Sequence, residues 1–162
     1  MPLAFRNSVF FWLAMAAPLS LVLTACSSEK IAADPLGKLA ASREKWQAAK
    51  PRTYRYVYTR YCECLPQSTG PFRVTADGDS LLSVVKPGPL GDSSLTPGAY
   101  AYLAVDSVFA KIEAYLQRGV HRSEIVFDNT YGFPTDVNID IDASMADEEY
   151  ILSIRDFKIV TP

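Results

Sequence analysis

The sequence predicts a small α+β domain: an antiparallel β-sheet of about 4–6 strands with two helices packed on one face, in the order α-β-β-β-α-β-β-β. Three observations carry this. Segments starting at Asp34 and Asp106 repeat apolar residues at helical spacing. Other segments alternate with period two and are rich in Tyr, Val and Ile. The breaks between strands are mostly too short for a parallel crossover, so neighbours pair antiparallel and the helices cover one side.

The chain opens on a segment outside that domain. Arg6 and the free amino terminus precede an apolar run from Val9 to Leu23, interrupted by Pro18 and Ser20. The run falls short of the ~20 residues a spanning helix needs and fits the apolar region of a secretory signal. Leu23-Thr24-Ala25-Cys26 follows and resembles the lipobox of bacterial lipoprotein precursors. The resemblance implies cleavage before Cys26 and a diacylated or triacylated cysteine (palmitate-type chains) at the mature terminus. Several acyl chains, at ~0.8 kcal/mol per buried methylene, make such an anchor effectively permanent. Ser27 stands where an Asp would imply inner-membrane retention, so the anchor is expected in the outer membrane, facing the periplasm, in a host with two membranes. Residues 1–25 are then signal peptide, 26–35 a lipidated tether and 36–162 one domain. The stretch from Ser27 to Asp34 spans at most ~28 Å, which keeps the domain beside its membrane.

Asp34-Pro35 starts the first helix, with Asp as N-cap and Pro in the first turn. Leu36, Leu39, Ala40, Arg43 and Trp46 form a narrow stripe, and Lys50-Pro51 ends it. Thr53 to Tyr61 reads as a strand with Tyr54, Tyr56 and Tyr58 on one side, expected to pack under a helix. Phe72–Ala76 and Ser80–Val85 flank Asp77-Gly78, a two-residue hairpin signal. Residues 86–98, with three prolines and three glycines, read as an irregular loop. Asp106 is expected to cap the second helix; Val108, Phe109, Ile112, Tyr115 and Leu116 form its apolar face, and Gly119 closes it. Glu124–Asp128, Asp136–Asp142 and Tyr150–Val160 complete the strands. Each half is a helix followed by strands, which leaves room for a diverged repeat, although no residue-level repeat is visible.

Trp46, Tyr54-x-Tyr56, Cys62-x-Cys64-x-Pro66, Val74 with Asp77-Gly78, Val126-x-Asp128, Tyr131-Gly132-Phe133-Pro134 and Asp147-Glu148 together resemble an uncharacterised family of bacterial lipoproteins, over roughly residues 40–160. The resemblance implies a lipoprotein with a single domain and supplies no activity or catalytic residue.

Composition excludes some classes. A formal charge of −2 offers no basic stripe for nucleic acid and no polybasic patch for acidic lipids. With Cys26 lipidated, Cys62 and Cys64 remain as a pair in an oxidising compartment. They are expected to form a local disulfide, which needs a bend because alternate strand residues lie ~6.5–7 Å apart. A redox pair or a metal or partner thiol stays open, though no His or helix N-terminus is visible to lower a thiol pKa. His121, the only histidine, reads as a surface residue past a helix end. Asp136, Asp140, Asp142, Asp147, Glu148 and Glu149 read as a solvated edge, since they lack the Gly and terminal Glu of a calcium loop. Tyr131, Gly132, Phe133 and Pro134 read as a rigid turn with a positive φ at Gly132 and a tendency to a cis bond before Pro134, or as a candidate binding loop presenting its aromatics.

No catalytic constellation, metal site or cofactor motif emerges. The expected function is a non-catalytic protein- or peptide-binding module of the cell envelope, attached to the membrane through Cys26, with an envelope protein as partner and no nucleic acid. The alternatives are a thiol–disulfide factor using Cys62 and Cys64, or a small-ligand binder with a cleft between the helices and the loop at 86–98.

Overall fold

The computed structural model describes residues 34–161. Cys26 and the signal peptide lie outside the described residues, as does the lipidation expected there.

The order is α1 (Pro35–Ala49), β1 (Thr53–Tyr61), the single turn α2 (Pro66–Thr69), β2 (Phe72–Asp77), β3 (Ser80–Lys86), β4 (Ser93–Leu95), a 3-10 segment (Pro97–Leu103), α3 (Val105–Arg118), β5 (Arg122–Phe127), β6 (Pro134–Asp140) and β7 (Tyr150–Ile159). The seven strands form one sheet in the order β4-β3-β2-β1-β7-β6-β5, antiparallel at each pairing. The α+β class holds, with seven strands rather than 4–6. The extra one, β4, lies inside the Pro/Gly segment taken as irregular loop. It pairs only Ser93, Ser94 and Leu95 with β3, too short a run to leave a periodic signal. β1 is central while β5 is an edge, so the two halves do not occupy equivalent places.

Alternation decides which face is covered. Tyr54, Tyr56, Tyr58, Phe72, Val74, Ala76, Leu152 and Ile154 are buried beneath α1 and α3. Asp34 caps α1 as expected, its carboxylate accepting from the Leu36 amide at 3.1 Å, and the stripe buries Leu39 and Trp46. The α3 stripe buries Val108, Phe109 and Ile112. Asp106 does not cap α3: Ala104 holds that position, and the Asp106 carboxylate accepts from Trp46 Nε1 at 3.2 Å and from Gln47. Its first-turn position serves α1, because the α3 N-terminus lies against that helix. α1 and α3 are also joined by Arg43 and Glu113 at 2.8 Å, with the guanidinium 5.5 Å from the Phe109 ring centre.

Two local features set the aromatic packing. The β2–β3 hairpin turns on Gly78-Asp79 rather than Asp77-Gly78, with Gly78 at φ 56°. In β7 the register with β1 slips by one residue near Asp156, which takes φ 53°. That bulge turns Phe157 into the core, 4.5 Å from Phe133 and 5.4 Å from Tyr54 between ring centres.

Candidate functional site

The inward face of β1 runs Tyr54, Tyr56, Tyr58 and then Arg60. At its first end, the aromatic rings close on one another. Trp46 lies 5.2 Å from Tyr54 and 5.9 Å from Phe133, both edge-on. The hydroxyls are used: Tyr54 donates to the Gly78 carbonyl and Tyr56 to the Leu103 carbonyl, each at 2.8 Å.

The other end is built differently. The Pro97–Leu103 segment and α3 carry the chain from the β4 edge of the sheet to the β5 edge, and where they pass the end of β1 they leave a cavity of about 290 Å³. Its lining is Tyr58 and Arg60 from β1, Tyr102 from the 3-10 segment, Ser107, Lys111 and Tyr115 from α3, and Tyr150 from β7. Ser107, Lys111 and Tyr115 fall four residues apart, so one stripe of α3 supplies all three. Two cations face the space and no carboxylate does. Arg60 Nε is buried and has no hydrogen-bond partner. Lys111 Nζ sits 4.8 Å from the Tyr115 ring centre.

Tyr58, Tyr150 and Tyr102 stay neutral. Burial pushes the Tyr58 hydroxyl up to about 12, against a hydrogen bond from Tyr150 and the nearby Arg60 charge, which lower it. Burial, then the neighbouring Tyr58, raise Tyr150 further. Tyr102 is raised by burial and by Tyr100. The cavity therefore offers a guanidinium, an ammonium and protonated hydroxyls, a donor-rich set suited to binding. Within it there is no carboxylate or imidazole to act as a base.

The family of unknown function DUF6174 matches residues 38–159. The chain belongs to that family. No curated protein and no solved structure matches the chain. Membership in an uncharacterised family is what the sequence led us to expect. The matched span runs from the first turns of α1 to the end of β7, so both ends of β1 and every residue lining the cavity fall inside the DUF6174 region.

The residues singled out from sequence sit mainly elsewhere. Cys62 and Cys64 are joined as a disulfide with their Cα atoms 5.2 Å apart. β1 ends at Tyr61, and the bend just past it supplies the closer approach that an extended strand would not allow. Tyr131, Gly132, Phe133 and Pro134 do not present their aromatics: Phe133 and Pro134 are buried and Tyr131 is half-buried, 5.1 Å from Phe157. Gly132, at φ 84°, lies so close to α1 that a Cβ there would stand 2.5 Å from the Ser42 carbonyl. Asp128 fixes the turn by accepting from the Thr130 and Tyr131 amides at 2.8 and 2.6 Å. The cis peptide among the described residues is Gly70–Pro71, not the bond before Pro134.

His121 is exposed. In the acidic group, Asp136 pairs with Arg155, which holds its carboxyl below the usual range, and Glu148 accepts from the Asp142 amide at 2.7 Å. Among the described residues no three His, Cys, Asp or Glu side chains converge as a metal site, and no helix is long and apolar enough to cross a membrane.

The second face of the sheet has its own hollow, about 600 Å³, lined in part by Arg55, Arg73 and Lys158. There Asp92 and Asp156 also line the space, and Arg73 is paired with Asp92. The hollow is open and two carboxylates stand among its three cations, so it makes the weaker anion site. Sequence reading passed over Arg60. Its signal was available: it shares the even parity of the three tyrosines, so a cation follows them onto the face that should be dry.

Proposed function

We propose that the chain is a lipid-anchored, non-catalytic binding module of the cell envelope whose ligand enters the Arg60–Lys111 cavity. The carrying observation is Arg60, a cation on the inward side of a central strand, facing a cavity with no carboxylate and with its Nε unpartnered. Buried polar groups in native proteins are almost always hydrogen-bonded, and an exception next to a cavity marks a place for a ligand or an ordered solvent molecule. The anchor rests on the apolar run at 9–23 and on Leu23-Thr24-Ala25-Cys26. Of the binding readings, the small-ligand one has the better-defined geometry. A protein or peptide partner would have to use the open second face of the sheet.

Two measurements test this. The intact mass of the mature chain from its native envelope is expected to carry acyl groups on Cys26; an unmodified chain starting at Met1 would remove the anchor. Small molecules released on denaturing the native chain are expected to include a compound depleted in a Ser107→Trp variant, where the indole fills the cavity. Identical small-molecule profiles from two equally folded chains would remove the cavity as the binding site.

A further inference from the structure

We infer that the group held in this cavity is a phosphoryl group, with Arg60 as its main partner and Lys111 as the second charge. The inference rests on the preceding reading of the cavity as a ligand site and names what that site takes.

Charge comes first. Arg60 and Lys111 line the space, and no Asp or Glu shares the lining. Elsewhere among the described residues, cations of this size are commonly matched: Arg43 with Glu113, Arg73 with Asp92 and Arg155 with Asp136. Arg60 has no such partner among the salt bridges, and its Nε is buried without a hydrogen bond. Arg60 is half-buried, but its Nε–H is a buried donor left unpaired, which is costly, and an oxyanion would relieve it.

Donor count and shape come next. A guanidinium presents a planar fork that matches oxyanions, and an ammonium adds three rotatable donors. Ser107, Tyr102 and Tyr115 bring hydroxyls to the same lining. A carboxylate has two oxygens to receive this set, whereas a terminal phosphoryl group has three and carries more charge. Burial raises Tyr58, Tyr150 and Tyr102 still further above the physiological range, so these three keep their protons. They can donate to an anion but add no competing negative charge. Position completes the case. Arg60 stands next to buried Tyr58 on a central strand, which fixes where its stem leaves the sheet. A space of about 290 Å³ holds a phosphoryl group with a small substituent, at the low end of ligand pockets. The group could come from a free phosphate or phosphomonoester, whose three terminal oxygens meet the whole set, or from the phosphodiester headgroup of a lipid in the adjoining bilayer, which offers two free oxygens and a single charge and is expected to bind less tightly.

The test is a titration of the full-length chain with inorganic phosphate, glycerophosphoglycerol, acetate and glycerol, followed by the Arg60 Nε–Hε NMR resonance. Phosphate or glycerophosphoglycerol is expected to shift that resonance saturably, and the tighter of the two identifies a free or a headgroup source. Arg60→Gln is expected to weaken binding about tenfold or more, and Lys111→Gln less. Lys111 is exposed, so that variant tests the charge without threatening the fold. If acetate or glycerol binds as tightly as either phosphate, the cavity stands as a site but the phosphoryl assignment falls. If neither phosphate compound shifts the resonance, the assignment also falls, and depletion of a native ligand by Ser107→Trp then decides separately whether the cavity binds anything.

Discussion

At the Tyr54 end of β1 the aromatic side chains close on one another, and at the Tyr58 end they stop short and leave a space. The same strand and the same residue type build both. At the closed end each hydroxyl reaches a backbone carbonyl, Tyr54 to Gly78 and Tyr56 to Leu103. Trp46, Phe133 and Phe157 fill the volume around Tyr54. At the open end Tyr58 bonds to another side chain, Tyr150, and the next inward residue is a cation. The difference teaches that a tyrosine-lined sheet face is not one surface with one purpose. Where the polar tips find main-chain partners, the face is core. Where they meet each other and an unpartnered guanidinium nitrogen, the face is left open as a cavity.

The largest effect expected is alkaline, and it reaches both ends. Burial raises the folded-state pKa of Tyr54, Tyr56, Tyr58 and Tyr150 above the ordinary value near 10. The folded chain therefore keeps protons that the unfolded chain releases. Stability is intact below that ordinary value and falls as pH rises through the interval up to the raised values. Each raised tyrosine costs up to about 1.4 kcal/mol per pH unit there, so several together remove a large part of a typical domain stability. Denaturant melts between neutral and strongly alkaline pH should show this loss. The ends should separate too: Tyr58, helped by Tyr150 and Arg60, should ionise before Tyr54. In ultraviolet phenolate titrations compared with the parent, a Tyr54→Phe variant that loses a step at lower pH than the step lost in Tyr58→Phe would reverse the ordering.

Removing the centre of the closed end comes next. Trp46→Ala is expected to cost about 3–5 kcal/mol, because the indole is fully buried among three aromatic rings. It also removes one of the donors to the Asp106 carboxylate, which keeps Gln47 and Lys50. Tyr102→Ala at the open end, where the ring is 41% exposed, should cost far less. Comparable losses in the two melts would mean that the open end is packed as core. Gly132→Ala is expected to cost about 1–3 kcal/mol, through the positive φ and the close approach to the Ser42 carbonyl. A variant as stable as the parent would show that the loop can retreat from α1.

Much of this architecture was legible in the sequence. Thr53–Tyr61, its inward tyrosines, the α1 cap and the α3 stripe follow from period and capping chemistry, which are local. The misses depend on distant partners. β4 exists because β3 offers an edge, so three residues without periodicity pair there. Asp106 looked like a cap because its partner, Trp46, is sixty residues away in the chain. The bulge at Asp156 moves Phe157 to the face opposite to that which strict alternation from Leu152 and Ile154 assigns it. Tyr131 and Phe133 looked like presented aromatics because nothing local records that Gly132 lies against α1. The cavity was half legible: Arg60 has the inward parity, but only the path of α3 brings Lys111 and Tyr115 over it.

The smallest effect on stability separates the two ends most sharply. Arg60→Met keeps the long apolar stem and removes the charged head, whose Nε now lies buried without a partner. Arg60 is half-buried, and removing a buried donor that has no partner while keeping the apolar stem costs little. The change in unfolding free energy is therefore expected to lie within about 1 kcal/mol of zero. Equilibrium urea unfolding at neutral pH measures it. Trp46 and Arg60 both point to the covered side of the sheet, so a residue kept for packing and a residue kept for a ligand would give very different losses under truncation. A loss of several kcal/mol in Arg60→Met would mean that the guanidinium holds the open end together, and that the cavity is a packing gap with a structural cation at its edge.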